Sequence, residues 1–261
     1  MKNPIKRIKS FRENIEWLSK ITGTKKDAAK YLIATKIKKR KPLGEGKYAH
    51  LPIFFRRNDL TALREVLVDE EYAFLKPYVT TNHLMNVFDI GAHIGTFALW
   101  MLGQNAQADI YSLEADPDTF AILKKNREPA AHYGHAWRVI NRAAWKEEAV
   151  LTFSNAGDSM SHKLSEKGTI KVLGVTMEKL IEMSKYENIH LMKIDIEGAE
   201  EAFLTANPDL LKRIEMLVIE IHPKQCNEKA IRALLAENYN VVEEIQGRKS
   251  SKPLLFCRKY G

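Results

Sequence analysis

The chain has 261 residues, of which 45% are hydrophobic, so it is not a disordered protein and is long enough for one large α/β domain. Its two cysteines are too few for a disulfide framework, and no run of about 18 apolar residues predicts a membrane span. The formal net charge is +8, but residues 1–50 hold 15 Lys and Arg against 4 acidic residues. We therefore expect a cytoplasmic protein with a basic N-terminal extension, residues 1–50, before a main domain, residues 51–261.

Two helices are predicted in the basic extension. Apolar residues recur there at helical spacing, at Ile5, Ile8, Phe11, Ile15, Leu18 and Ile21. A second helix is expected from Thr24, which can cap it, to about Arg40, before Pro42. Two interpretations stay open: a pair of helices that caps the main domain, or a basic surface for an anionic phosphate, lipid or nucleic acid. A lipid-binding extension would place the protein at the periphery of a membrane.

From residue 51 onward, strand and helix patterns alternate. The segment PIFFRRNDL is expected to be extended, and a helix is expected from Asp59 over DLTALREVLVDEEYAFL. The strands predicted after it are 86–90, 108–113, 137–141, 149–153, 190–194, 216–221, 240–245 and 254–258. The helices predicted among them are 96–101, 117–126, 177–183, 200–205 and 228–237. Strands separated by helices require a mostly parallel sheet covered on both faces, but the linker QGRKSSKP is too short for a crossover and predicts a terminal antiparallel hairpin.

The first strand of this alternating pattern ends in a glycine turn, DIGAHIG, at the expected ligand position of an open α/β sheet. A dinucleotide site requires G-x-G-x-x-G, but here His93 stands where the middle glycine would be. S-adenosylmethionine has a cationic ammonium and sulfonium that suit the carboxylate of Asp89. The turn therefore favours this cofactor, with a nicotinamide dinucleotide as the alternative. The predicted cofactor contacts of the turn are Asp89, Gly91, Ala92, His93 and Gly95.

The second and third strands supply further cofactor contacts. Glu114 ends the second strand, where a carboxylate can accept hydrogen bonds from both hydroxyls of a ribose. Ala115 follows it and is expected at the same site. Asn141, together with Arg142 or Ala143, follows the third strand and is expected to reach the adenine.

Four segments in this order resemble the motifs of the FkbM family of S-adenosylmethionine-dependent methyltransferases: VFDIGAHIGTFAL, YSLEADPDTFAILKKN, LMKIDIEGAEEAFL and LVIEIHP. The family pattern is roughly D-x-G-A-N-x-G, E-P-x-P, K-x-D-x-E-G-x-E and E-x-H, and the likeness covers about residues 50–225. The resemblance implies a class I, Rossmann-like methyltransferase fold with a seven-stranded sheet in the order 3-2-1-4-5-7-6. It also implies O-methylation of a hydroxyl in a sugar or another natural product. His93 and Ala115 depart from the pattern, in which Asn and Pro are usual.

Charged residues alternate with apolar ones at the end of the fourth strand, so Asp195 and Glu197 are expected to face the cleft. The fifth strand ends in Glu220 and His222, which should reach the same edge of the sheet. His222 is the first candidate for the base that takes a proton from the acceptor hydroxyl. Two alternatives stay open: these four side chains could hold a divalent cation, or they could form a network that only positions loops.

Two polar segments are candidate substrate contacts. The segment SNAGDSMSHKLSEKGT is expected to form a loop over the cleft, and its candidate contacts are Asp158, Ser159 and His162. A basic turn that suits an acidic substrate contains Arg248, Lys249 and Lys252.

We expect the acceptor to be a small molecule or a glycan. The alternatives are a methyltransferase for RNA or another nucleic acid, which the basic extension favours, and a non-catalytic module of the same fold at a membrane surface.

Overall fold

A computed structural model describes residues 4–37, 42–154, 163–164, 170–246 and 252–260. The α-helices are α1 (Pro4–Thr22), α2 (Lys25–Ile37), α3 (Leu60–Ala62), α4 (Lys76–Val79), α5 (Thr96–Gln104), α6 (Pro117–His132), α7 (Met177–Ser184), α8 (Glu200–Thr205) and α9 (Glu228–Asn238). The strands are β1 (Gly44–Tyr48), β2 (Leu51–Phe55), β3 (Met85–Ile90), β4 (Ala108–Glu114), β5 (Trp137–Asn141), β6 (Ala143–Ala144), β7 (Val150–Ser154), β8 (Lys163–Leu164), β9 (Ile170–Val175), β10 (Ile189–Ile194), β11 (Ile214–Glu220), β12 (Val241–Glu244) and β13 (Leu254–Arg258). Among the described residues, no helix is both long enough and apolar enough to cross a bilayer.

Seven strands form the central sheet, in the order β12-β13-β11-β10-β3-β4-β5. The five strands from β11 to β5 pair in parallel, as expected for strands that helices connect. β13 pairs antiparallel with both β11 and β12, so the predicted terminal hairpin is confirmed. Numbered along the chain, the seven strands lie in the order 6-7-5-4-1-2-3. Read from the other edge, this is the order that the family resemblance implies.

A smaller side sheet, β6-β9-β7-β8, lies between β5 and β10 in the chain. The sequence predicted β7 of this sheet but missed β9, whose apolar pattern is interrupted by Lys171 and Gly174. Leu151 of β7 and Val172 of β9 are buried with Ala143 in a small hydrophobic cluster. The side sheet therefore has a core of its own beside the central sheet.

The two N-terminal helices pack on the main hydrophobic core. Leu18 and Ile21 of α1 and Leu32 of α2 are buried in the same cluster as Ile53 and Phe55 of β2. Burial of these side chains removes apolar surface from water, which is the main favourable contribution to folding. Both helices therefore belong to the folded body of the chain.

Thr24 caps α2 as the sequence predicts, since the backbone N–H of Asp27 donates to its Oγ1 at 3.0 Å. The described Lys and Arg side chains of both helices are exposed, while the side chains of Ile5 and Ile8 lie outside the described part of the chain. Anion binding by this face stays a prediction. β1, which the sequence analysis missed, pairs with β2, so the expected domain boundary at residue 50 falls inside a hairpin.

The helix predicted from Asp59 over DLTALREVLVDEEYAFL forms only in its first part, as a continuous 3₁₀, α and π segment that ends at Val68. α3 continues into a π turn, Leu63–Val68, after which Asp69 N donates to Arg64 O at 2.8 Å. The Asp59 carboxylate belongs to the capping box at the start of this segment, because it accepts a hydrogen bond from Arg56 N at 2.6 Å. We call this segment, residues 57–68, the irregular wall.

Candidate active site

A cavity of about 1240 Å³ opens where β3, β4, β10 and β11 end. Ligands of parallel α/β sheets bind at this edge, beyond the carboxyl ends of the strands. The irregular wall closes one side of the cavity, and the side sheet contributes Trp145 and Leu151 to another. The cavity therefore lies where the sequence predicted a ligand site.

The turn after β3 packs directly against the end of β10. Gly91 has a φ of +79°, and a Cβ atom at this position would lie 1.8 Å from the carbonyl oxygen of Asp195. Gly95 has a φ of +89°, and a Cβ there would lie 2.7 Å from the Trp137 ring. Both positions therefore require glycine, for the left-handed backbone and for the close approach. Gly91 and the next residue, Ala92, line the cavity, whereas Gly95 lies behind it.

The Glu114 carboxylate lies on the cavity wall beside this turn. Its Oε2 accepts a hydrogen bond from His93 N and its Oε1 accepts one from Asp116 N, each at 2.8 Å. Burial raises the pKa of Glu114 to about 7. A carboxylate oxygen can accept more than one hydrogen bond, so this group is oriented to receive a ligand with two neighbouring hydroxyls. Ala115 lines the same wall.

His93 also lines the cavity, and its backbone explains why it stands where the family pattern has Asn. Its φ is +53°, a left-handed conformation in which Asn, Asp and His are enriched among non-glycine residues. Its Nε2 lies 3.2 Å from Oδ1 of the buried Asp59. Burial alone would raise the pKa of Asp59, but hydrogen bonds from His93 and Arg56 lower it to about 2. His93 thus connects the glycine turn to the irregular wall.

Asp89 does not line the cavity with the other predicted cofactor residues. It is fully buried, with Oδ1 3.3 Å from Lys193 Nζ, and Ser112 Oγ donates to its Oδ2 at 3.3 Å. Lys193 Nζ also donates to Gly91 O at 2.7 Å. Burial raises the pKa of Asp89, and the charge of Lys193 opposes this rise. The expected direct contact between Asp89 and a cationic ligand is therefore corrected: Asp89 supports the glycine turn through Lys193.

Asn141 is likewise held inside the protein. Its Nδ2 donates to the carbonyl oxygens of Glu114 and Ala115, at 2.9 and 3.0 Å. These bonds fix the end of β4, and Asn141 is not among the described residues that line the cavity. Arg142 and Ala143, which the sequence offered as its companions, do line it.

Carboxylates surround His222 on the opposite side of the cavity. Its Nε2 lies 3.1 Å from Glu197 Oε2 and 3.5 Å from Glu220 Oε1. The same nitrogen lies 3.9 Å from Asp195 Oδ1. The other ring nitrogen, Nδ1, lies 2.8 Å from Glu200 Oε1. The structure thus brings together all four side chains expected at this edge and adds Glu200 to them.

His222 lies behind these acids and is not part of the cavity wall. Asp195, Glu197 and Glu220 line the cavity, whereas His222 is only 2% exposed. Burial alone would lower the pKa of His222, but hydrogen bonds with Glu197 and Glu200 raise it to about 10. A buried imidazolium is poorly placed to take a proton from a substrate, which argues against the base predicted at this position.

Two buried residues of this region were missed by the sequence analysis. Glu200 is fully buried, and its Oε1 accepts hydrogen bonds from Gly198 N at 3.0 Å and Ile196 N at 3.3 Å. Lys193 is buried in its ion pair with Asp89. Lys193 is the first residue of the K-x-D-x-E-G-x-E pattern and Glu200 is the last. The family pattern is therefore the sequence signal that could have identified both residues.

Several predicted substrate contacts fall outside the residues that the structure describes. They are Asp158, Ser159, His162, Arg248 and Lys249. Lys252 of the basic turn is described, and its Nζ lies 3.3 Å from both Glu197 Oε1 and Glu220 Oε1. Its positive charge is therefore directed at carboxylates of the site.

A family model described as the methyltransferase FkbM domain matches residues 89–244, which is more than half of the chain. The chain belongs to the FkbM methyltransferase family. The family prediction is thereby confirmed, together with the class I methyltransferase-like α/β fold.

Two relatives of this chain are informative. The hexuronic acid methyltransferase AglP of Haloferax volcanii is 24% identical over 151 residues, which are 58% of this chain and 61% of AglP. The crystal structure of methyltransferase FkbM from Methylobacillus flagellatus KT matches with a TM-score of 0.52 at 14% identity, over 77% of this chain and 55% of that one. This chain therefore covers less than two thirds of the length of either relative.

Proposed function

We propose that this FkbM methyltransferase transfers the methyl group of S-adenosylmethionine to a hydroxyl of a sugar or similar small molecule. The observation that carries the proposal is that one cavity joins the Glu114 wall to the carboxylates Asp195 and Glu197. Its volume, about 1240 Å³, exceeds the about 300–1,000 Å³ of a typical ligand pocket, which favours two ligands held side by side. The sugar-directed activity of AglP supports the same class of acceptor.

The residues on the Glu114 side fit S-adenosylmethionine. The two oxygens of Glu114 are oriented by backbone N–H groups, as required to bind both hydroxyls of a ribose. Ala115 and Ala143 give this part of the cavity small side chains that leave room for a flat adenine. When bound, S-adenosylmethionine supplies an activated methyl group. The negative charge of Glu197, Glu220 and their neighbours favours a ligand with a sulfonium centre.

Glu197 is the proposed proton acceptor. It lines the cavity, unlike His222, and its Oε2 lies 3.1 Å from His222 Nε2. The acceptor hydroxyl would give its proton to Glu197 while its oxygen bonds to the methyl carbon and the bond from that carbon to sulfur breaks. The products would be a methyl ether and S-adenosylhomocysteine. His222 and Glu200 are positioning residues, because they fix the Glu197 carboxylate without reaching the cavity. Correct placement of the two reacting atoms supplies much of the rate enhancement in such a displacement.

Calorimetry with S-adenosylmethionine tests the cofactor site. We expect saturable binding, and we expect Glu114→Gln to weaken it about tenfold or more by losing the paired acceptor for the ribose. Glu65→Gln, on the irregular wall of the same cavity, is the matched control and should bind normally. Binding of NAD instead, or equal binding by both variants, would show that the assignment is wrong.

Labelled S-adenosylmethionine and a panel of mono- and disaccharides test the transfer. Glu197→Gln is expected to lower the turnover about 10²- to 10⁴-fold while cofactor binding stays unchanged. Transfer to RNA alone, with an affinity that falls steeply as salt rises, would instead support the nucleic-acid alternative.

A further inference from the structure

We propose that Asp195, Glu220 and His222 form a binding site for one divalent cation of the Mn²⁺ and Mg²⁺ class. Each of these residues offers one ligand atom, and the three atoms lie within 4.8 Å of one another. Two carboxylate oxygens and one imidazole nitrogen are a donor set that such a cation accepts. Without the ion Nε2 of His222 carries a proton, and the ion would displace that proton on binding.

The distances between these atoms match the geometry around a single ion. His222 Nε2 lies 3.5 Å from Glu220 Oε1 and 3.9 Å from Asp195 Oδ1. Ligands of an octahedral ion at about 2.1 Å lie about 3.0 Å apart when adjacent and about 4.2 Å apart when opposite. The two separations from His222 fall between these limits and all three atoms lie within 4.8 Å of one another, so side-chain movements of about 1 Å would bring them to one ion.

Glu200 orients His222 as ligand histidines are oriented in known metal sites. Its Oε1 lies 2.8 Å from Nδ1, which leaves Nε2 facing the carboxylates at the cavity. Glu200 is itself fully buried and held by Gly198 N and Ile196 N, so it cannot turn away. A carboxylate that holds the far nitrogen of a histidine fixes the direction of the ligand nitrogen. This arrangement is independent of the acidic cluster on the cavity side.

The described carboxylates of this region outnumber its cationic side chains, even when His222 is counted as protonated. The acids are Asp89, Asp195, Glu197, Glu200 and Glu220, and the lysines are Lys193 and Lys252. Lys193 is committed to Asp89 and to a backbone carbonyl. The Lys252 side chain is 41% exposed, so it can leave Glu220 and make room for a cation. A divalent ion would offset the remaining negative charge.

The catalytic role of the cation rests on the proposed function, although the site itself does not. A hydroxyl bound to a divalent cation loses its proton more readily. Glu197 lies beside the proposed ligands and is positioned to take that proton. The cation would therefore promote deprotonation of the acceptor hydroxyl. His222 cannot act as the base in this step, because it lies behind the carboxylates.

The site is tested by titrating the 261-residue chain with Mn²⁺ in the absence of S-adenosylmethionine. Binding is monitored by electron paramagnetic resonance. We expect one Mn²⁺ per chain with a nitrogen coupling from His222, and about tenfold or greater loss of affinity in Asp195→Asn and in Glu220→Gln. Glu201→Gln, on the same cavity wall, is the matched control and should bind as the wild type does. Absence of Mn²⁺ binding, absence of nitrogen coupling, or equal affinity in all four proteins would overturn the proposal.

Lys252→Met gives a second test that does not remove a ligand. Because Lys252 Nζ competes with the cation for Glu220, loss of Lys252 is expected to raise the affinity for Mn²⁺. An unchanged or lower affinity in a folded variant would contradict the charge argument. Cofactor binding measured by calorimetry in the presence of EDTA separates the two proposals. Retained cofactor binding with no Mn²⁺ site refutes only the cation, whereas a Mn²⁺ site without cofactor binding refutes only the proposed function.

Discussion

Lys193 Nζ lies 3.3 Å from Asp89 Oδ1 in the interior, where β10 and β3 run side by side. The two residues are direct partners in the parallel register of these strands. A buried charge of this kind is tolerated because the opposite charge lies beside it. The pair therefore has a structural role at the base of the cavity, whose lining includes Lys193, and its loss is the first effect that we predict.

Lys193→Met is expected to destabilise the protein by about 3–5 kcal/mol, because it leaves the Asp89 carboxylate buried without its partner. The double variant Asp89→Asn with Lys193→Met should recover part of this loss, since it buries no net charge. Urea unfolding monitored by circular dichroism measures the change in the free energy of unfolding for both variants. Lys179→Met, at an exposed ion pair, is the control. Equal unfolding midpoints for Lys193→Met and the wild type would contradict the role assigned to the pair.

Gly91→Ala is expected to prevent correct folding of the turn, because the new Cβ would lie 1.8 Å from the Asp195 carbonyl oxygen. Gly134→Ala is a sharp control: Gly134 also has a positive φ, +80°, but its Cβ would meet nothing within 4 Å. The control should lose only about 1–2 kcal/mol from the left-handed backbone. Thermal melting and cofactor binding compare the two variants. If both variants lose the same free energy of unfolding, the close approach at Gly91 does not explain the effect of Gly91→Ala.

The stability contributed by Asp59 should depend on pH in the acid range. Its pKa is lowered from 3.8 to about 2 in the folded protein, so its contribution is present above 3.8 and is lost as the pH falls towards 2. The linked change amounts to about 2 kcal/mol. Urea unfolding across this range should show a steeper loss in the wild type than in Asp59→Asn. Parallel curves for the two proteins would exclude this ionisation as the source.

Affinity for S-adenosylmethionine is expected to rise with pH around neutrality. The pKa of Glu114 is raised from 4.5 to about 7, and only the ionised carboxylate accepts hydrogen bonds from both ribose hydroxyls without competing as a donor. Between about pH 6 and about pH 8 the ionised fraction rises about tenfold, and the affinity should follow it. Calorimetry of Glu114→Gln should give weak binding with a flat dependence on pH. A wild-type affinity that is constant over this range would refute the mechanism.

The central sheet was predictable because its strands are buried on both faces. Their apolar runs and the helices between them are local features, and they specify β3, β4, β10 and β11 to within a residue or two. β1 was missed because it is short and contains two glycines, and β9 was missed because its pattern is interrupted and its partner β7 lies earlier in the chain across a long connection. The irregular wall was predicted only in part, because no local pattern marks the change from α to π geometry at Leu63 or the end of the helix at Val68.

The candidate site was predictable in position but only partly in contacts. Strand-end carboxylates such as Glu114 and Glu197 do reach the cavity. The direction of Asp89 was not predictable, because it depends on Lys193, which lies about a hundred residues later and becomes a neighbour only through strand pairing. His222 is a similar case, since its burial follows from contacts with Glu200 that no local pattern contains.

The contact between Gly91 and the Asp195 peptide ties the two halves of the cavity together. With the bond from Lys193 to the Gly91 carbonyl, it makes the glycine turn and the carboxylates at the end of β10 one stiff unit. The side sheet has no such link: as far as the structure describes it, it pairs with no strand of the central sheet, yet Trp145 and Leu151 reach the cavity. Substitutions at Trp145 and Leu151 are therefore expected to change the shape of the cavity while the joined turn and carboxylates stay in place.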